Sequence, residues 1–266
     1  SQTGISFRNE LTYNEKINPY TFRNFYNGAG VAIGDINQDG LPDIFLASNQ
    51  QSNRLYLNTG ELNFKDITET AGLNSSGSWS TGVSMADVNG DGLLDIYVCK
   101  SGPMQGERRH NELFINNGDL TFTEQAKDYG LAEIGLSQHA VFFDYDKDGD
   151  LDMYLLSNSG RSVGLNDLRL GQRELRDPDG GNKLFRNDGE RFTDVSAEAG
   201  IYGSAIGYGL GVTVSDLNLD GWPDLYVSND FFERDYLYLN QKNGTFSEVL
   251  PQAMPEISMG SMGADI

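Results

Sequence analysis

The chain has 266 residues, a formal net charge of −20, 32 glycines, 11% aromatic residues and a single cysteine. That length can bury a large core, as one repeat domain or as two ordinary domains. The charge disfavours nucleic acid and anionic membranes as partners, Cys99 alone excludes an internal disulfide, and no apolar run is long enough to predict direct membrane insertion.

In chain order, the first strand is expected at residues 31–34, followed by the loop Asp35-Ile36-Asn37-Gln38-Asp39-Gly40-Leu41-Pro42-Asp43 and a second strand at 44–46. A third strand is expected at 55–58 and a fourth around Phe64, after which Ala71-Gly72-Leu73 leads back to the next unit. The same order returns three times. First strands are expected at 83–86, 140–143 and 212–215, and second strands at 96–98, 153–155 and 225–227. Third strands follow at 113–116, 184–187 and 237–240, and fourth strands around Phe122, Phe192 and Phe246. The first aspartates of successive loops lie 52, 57 and 72 residues apart, the last interval being long because residues from about 158 to 182 form an insertion in the third unit.

Four short strands per unit at recurring intervals predict an all-β fold of β-propeller blades whose hairpin loops bind Ca2+. The repeat units run approximately over 28–73, 80–131, 137–201 and 209–257. A partial unit at 258–266 repeats a first strand and places Asp265 at a first-ligand position, 49 residues after Asp216. Residues 5–9 resemble a fourth strand. The expectation is a single propeller domain over 1–266, or the N-terminal fragment of one, with neighbouring blades stacked into one continuous core.

The loops carry the chemistry. Oxygen-bearing side chains occupy positions 1, 3, 5 and 9, with glycine at position 6: Asp35, Asn37, Asp39 and Asp43; Asp87, Asn89, Asp91 and Asp95; Asp144, Asp146, Asp148 and Asp152; Asp216, Asn218, Asp220 and Asp224. Hard cations such as Ca2+ take six to eight oxygen ligands, and alternate residues of a curled loop can all point inward. Leu41, Leu93, Asp150 and Trp222, at position 7, are expected to add a backbone carbonyl each. An EF-hand would close with a glutamate at position 12 between two helices. Position 12 here is Leu46, Val98, Leu155 or Val227, so the bidentate ligand is expected at position 9 and the loop is the turn of a β-hairpin. About four Ca2+ sites follow, and filling them would bring the charge from −20 to about −12. The third loop, with Asp146 where the others carry asparagine, is expected to bind most tightly. The calcium is read as structural, and sites this dense fill where free Ca2+ is high, outside the cytoplasm.

The units resemble FG-GAP/VCBS repeats, the blades of integrin-α-type propellers. The stretch from Phe25-Tyr26-Asn27-Gly28 to Asp35 is similar to the start of large bacterial surface proteins of the cartilage-acidic-protein (CRTAC, ASPIC/UnbV) group. The resemblance implies seven or eight blades in the parent, calcium in the blade hairpins, and an extracellular or outer-membrane location. It leaves function open, because one fold hosts many activities.

Two further features are candidates for partner binding. His139 stands five residues before Asp144, an offset occupied by Gly30, Gly82, Gly211 and Gly260 in the other units. The insertion carries Arg161, Arg169, Arg173 and Arg176 on an otherwise acidic chain, and loops that leave a rigid scaffold are where binding surfaces form. No catalytic constellation emerges. The expected function is a non-catalytic, calcium-stabilised propeller module of an extracellular or outer-membrane surface protein that binds another protein or a glycan. The alternatives are a polysaccharide-lyase-type enzyme on the same fold, or a spacer for further domains.

Overall fold

Each of the four acidic loops joins the first two strands of a four-stranded antiparallel sheet. The computed structural model describes residues 3–73, 79–102, 110–160, 171–177, 180–258 and 260–264. The chain divides into two compact units, Ser1–Ile134 and Gly135–Ile266, and the boundary falls between the second and third repeats. Among the described residues no helix is long and apolar enough to cross a membrane.

The first unit holds two sheets, β1 (Val31–Gly34), β2 (Asp43–Leu46), β3 (Arg54–Asn58) and β4 (Phe64–Asp66), then β5 (Ser80–Ala86), β6 (Asp95–Lys100), β7 (Glu112–Asn116) and β8 (Phe122–Glu124). The second unit holds β9 (Leu136–Phe143), β10 (Asp152–Asn158), β11 (Lys183–Asn187) and β12 (Phe192–Asp194), then β13 (Gly209–Ser215), β14 (Asp224–Asn229), β15 (Tyr236–Asn240) and β16 (Phe246–Glu248). Within every sheet the strands are ordered as in sequence, so each is a simple up-and-down meander. This is the all-β, blade-by-blade architecture expected from the repeat.

The packing follows the strand order. The second strands are the most buried, with every residue of β6 and β10 buried. In the first unit Ile36, Phe45 and Leu55 of one sheet share a core with Val83, Val98 and Phe114 of the next. In the second unit Tyr145, Tyr154 and Leu184 meet Val227, Tyr236 and Tyr238. Cys99 is buried in β6, and burial raises its thiol pKa. Gly30 marks the close approach of two first strands. Its amide donates to the main-chain oxygen of Thr81 at 2.6 Å, and a Cβ there would fall 2.8 Å from that oxygen.

Two expectations change. The first strands of the last three sheets begin several residues earlier than the sequence suggested, because bulges interrupt their pairing between Ser80 and Val83, opposite Leu156 and Ser157, and between Gly209 and Gly211. A bulge breaks the alternation by which a strand is read. Residues 5–9, which resembled a fourth strand, form no strand. The preceding residues instead imitate the end of a repeat. Phe64 donates its amide to the main-chain oxygen of Thr3, as Phe122 does to Ala71 and Phe246 to Ala199. Gly4, Gly72 and Gly200, which follow those acceptors, all take a left-handed φ of 77–79°.

An asparagine ends every third strand, and Asn116 and Asn240 tie their sheet to the neighbouring one. The Nδ2 of Asn58 donates to the main-chain oxygen of Pro42 at 3.0 Å, and its Oδ1 accepts from Gly60 at 3.0 Å. Asn116 makes the corresponding bonds to Leu94 and Gly118 and adds one to the main-chain oxygen of Ile36 in the neighbouring sheet, at 2.8 Å. Asn240 reaches the Tyr145 oxygen in the same way, at 2.8 Å. In urea denaturation, Asn116→Ala is expected to cost about 1 kcal/mol more than Asn58→Ala, the worth of one further buried hydrogen bond. Equal losses would remove the inter-sheet bond from this account.

Candidate metal loops

The ninth residue of each loop is the best-buried carboxylate in it. Asp43, Asp95, Asp152 and Asp224 are all 0–1% exposed. In each, Oδ2 accepts the amide of the loop's second residue (Ile36, Val88, Tyr145 or Leu217) at 3.0 Å. Oδ1 accepts the amide of the asparagine that ends the third strand (Asn58, Asn116, Asn187 or Asn240) at 2.7–2.9 Å. One side chain thus joins the loop, the second strand and the third strand. Each oxygen keeps a second lone pair for a cation.

The rest of the loop is wrapped by short side-chain-to-backbone bonds. The position-1 carboxylate accepts the amide of the position-6 glycine, at 2.7, 2.8, 3.2 and 2.8 Å in the four loops. The position-5 carboxylate accepts the amide of position 7, at 2.8–3.2 Å. Both turns require left-handed backbone. The position-6 glycines supply it with φ of 83–103°, and so do Gln38, Gly90, Lys147 and Leu219 at position 4, with φ of 60–73°. The demand at position 4 was not read from the sequence, since four unlike residues fill it. Two of their side chains reach the neighbouring loop of the same unit: Gln38 Nε2 donates to the Gly92 oxygen at 2.7 Å, and Lys147 Nζ lies 4.8 Å from the centre of the Trp222 ring.

The third loop differs in its charge balance. In the first two, the position-3 asparagine donates its amide to the position-5 carboxylate, Asn37 to Asp39 at 3.0 Å and Asn89 to Asp91 at 2.9 Å. Asp146 has no such proton to give. Carboxylate oxygens of Asp144, Asp146 and Asp152 lie within 4.8 Å of one another. Asp144 Oδ1, Asp146 Oδ1 and Asp150 Oδ1 are buried without a hydrogen-bond partner. Oxygen-only ligands, clustered, ionisable and unsatisfied, fit a hard cation. Asp150 Oδ1 is unpartnered too, but it is not one of the three clustered carboxylates, and Asp150 keeps its expected backbone role.

Burial raises the pKa of all four position-9 carboxylates, Asp95 to about 6 and Asp152 to about 7. Burial, then Asp148 beside it, raises Asp150 to about 6. A carboxyl whose folded pKa lies above its unfolded value near 3.8 stabilises the fold fully below that unfolded value, and the contribution is lost as pH rises through the folded value. The chelated chain is therefore expected to melt at progressively lower temperature between about pH 4 and pH 7. A melting temperature that rises across this window in chelator would contradict the assignment.

The other candidates are dispersed. His139 in β9 lies opposite Leu156 and is half-buried, and burial lowers its pKa. Arg173 Nε pairs with the buried Glu233 at 2.7 Å. Arg176 donates to the main-chain oxygens of Asn182 at 3.3 Å and Ile201 at 2.7 Å. Arg161, Arg169 and Asp265 lie outside the described residues.

The FG-GAP-like repeat matches the chain four times, over residues 35–98, 104–155, 164–227 and 216–266. The chain belongs to this family. Every match takes in at least one acidic loop: 35–98 the first and second, 104–155 the third, and 164–227 and 216–266 the fourth. Cartilage acidic protein 1 of Xenopus tropicalis is 28% identical over 214 residues, which are 80% of this chain and 30% of that protein. The human protein of the same name is 26% identical over 240 residues, 89% of this chain and 33% of its own length. The chain thus spans about a third of the length of these relatives. Among solved structures, an Agrocybe aegerita lectin that recognises non-reducing terminal N-acetylglucosamine superposes with a TM-score of 0.42 at 21% identity, covering 82% of this chain and 50% of the lectin. A Bifidobacterium bifidum s17 protein described as an exo-β-1,3-galactanase gives 0.43 at 13%, covering 81% and 68%. At such scores neither likeness bears on function.

Proposed function

We propose that this FG-GAP-like chain is a calcium-stabilised binding module of an extracellular surface protein, with Ca2+ held in the four hairpin loops and a protein or a glycan as partner. The observation that carries the calcium reading is the pair of buried, unpartnered carboxylate oxygens on Asp144 and Asp146, in a loop where oxygens of Asp144, Asp146 and Asp152 lie within 4.8 Å of one another. An unpaired buried charge is costly, and a divalent cation at the focus of the loop offsets that cost. Positions 1, 3, 5 and 9 would hold the ion by side-chain oxygens, with the backbone oxygens of Leu41, Leu93, Asp150 and Trp222 completing the shell. The ion supplies charge neutralisation and a rigid turn. Similarity to proteins named for cartilage, an extracellular tissue, supports a location where free Ca2+ is high enough to fill such loops. The lyase-type alternative leaned on His139 and the arginines. With Arg173 and Arg176 engaged inside their own unit, nothing favours it over binding.

Thermal melting with calcium and with chelator tests the reading. Calcium at a hundredfold excess over its dissociation constant is expected to add about 2.7 kcal/mol per filled site. The variant Asp146→Asn separates metal binding from folding. It removes the repulsion between Asp146 and Asp148 and restores the amide donor of the first two loops, so it should raise the melting temperature in chelator and shrink the gain from calcium. A chain indifferent to calcium, or an Asp146→Asn that melts lower in chelator, would sink the proposal.

A further inference from the structure

The N-terminal segment before β1 carries a second, separate surface. Residues 13–26 form a loop closed by its own side chains. Asn14 Oδ1 accepts the amides of Lys16 and Ile17 at 2.9 and 3.0 Å, and Asn18 Oδ1 accepts those of Tyr20 and Thr21 at 2.9 and 3.2 Å. Asn18 Nδ2 donates to the main-chain oxygen of Asn14 at 3.0 Å, and Thr21 Oγ1 to that of Lys16 at 2.9 Å. Beneath the loop, Phe22 and Phe25 pack on Trp79, with Phe22 edge-on to the Trp79 ring at 4.9 Å. The loop is therefore ordered before anything binds it.

What this scaffold presents is unusual for a protein surface. Tyr13, Tyr20 and Tyr26 are 74%, 100% and 69% exposed, although large aromatic side chains are the ones folding most gains from burying. With Glu15, Asn14, Asn18 and Pro19 they line one concave pocket of about 610 Å3. Among the described residues no lysine or arginine lines it, although Lys16 and Arg23 lie in the same segment. Aromatic ring faces are electron-rich, Glu15 is anionic, and the chain, −20 without metal, would still carry about −12 with the four loops filled.

We infer that this pocket is a docking site for an exposed lysine- or arginine-bearing peptide segment of a partner protein. A long aliphatic stem lies across the tyrosine faces while its cationic head is drawn to the rings and to the Glu15 carboxylate. A pocket of about 610 Å3 exceeds what one side chain fills, which favours a short peptide over a lone ammonium group. A neutral glycan would draw no benefit from the charge, and an acidic one would be repelled. None of the lining residues belongs to an acidic loop, so the site stands apart from the calcium reading and is tested in calcium buffer throughout.

The experiment titrates the full chain, labelled at its tyrosine rings, with tri-lysine at low salt and follows the ring signals by NMR. The expected result is movement of the Tyr13, Tyr20 and Tyr26 signals, with affinity falling as salt rises. Tyr20→Ala and Glu15→Gln should each weaken binding by roughly threefold or more. Both side chains leave the core untouched, so neither variant should shift the melting temperature. Rings that ignore tri-lysine would overturn the inference. So would rings that move instead with cellotriose or with phosphatidylcholine vesicles while Glu15→Gln has no effect, since the ligand would then be a neutral sugar or a lipid headgroup.

Discussion

A buried aspartate that accepts two backbone amides is the interaction on which the structure turns. Asp43, Asp95, Asp152 and Asp224 occur once per sheet, and each binds the second residue of its own loop and the last residue of the third strand. A buried carboxylate without those donors would be expensive, and the two amides would otherwise be orphaned where the hairpin leaves the ladder. Each supplies what the other lacks. Burial raises the pKa of these carboxyls despite the two amides, and a cation at the same place would favour their charged form.

The position-9 aspartate also explains why the repeat is longer than its loop. Its second donor is the backbone of an asparagine whose side chain fastens the position-8 carbonyl and, for Asn116 and Asn240, the loop of the neighbouring sheet. Loop, third strand and adjacent sheet therefore depend on one another within each unit. Repeat proteins gain stability from such nearest-neighbour terms in addition to each repeat's own. Lys147 over Trp222 and Gln38 on Gly92 add to the same coupling from the solvent side.

Much of this was legible in the sequence because it is repeated. The loop spacing, the strand order and the phenylalanine that opens each fourth strand recur four times and stand where the pattern placed them. The asparagines closing the third strands were equally visible, but their role needed the long-range contacts to Asp43 and its counterparts. The left-handed backbone at position 4 left no mark, because Gln38, Lys147 and Leu219 share no side-chain chemistry with Gly90. The strand bulges were hidden for a related reason: an extra residue erases the alternation that would announce the strand. Arg173 and Arg176 looked free in a charged insertion, yet Glu233, 60 residues away, engages the first and the main-chain oxygens of Asn182 and Ile201 engage the second.

The most direct measurement of the central claim is native-state hydrogen exchange at the eight amides that point into the position-9 carboxylates: Ile36, Val88, Tyr145, Leu217, Asn58, Asn116, Asn187 and Asn240. Local opening exposes weakly held amides first, and core amides exchange only with global unfolding. The account predicts that these eight, including the four in the loops, exchange as slowly as the interior of β6 and β10 in chelator, and more slowly still in calcium. Loop amides that exchange at the rate of exposed turns in both conditions would contradict it, and would reduce the buried aspartates to passengers of the fold.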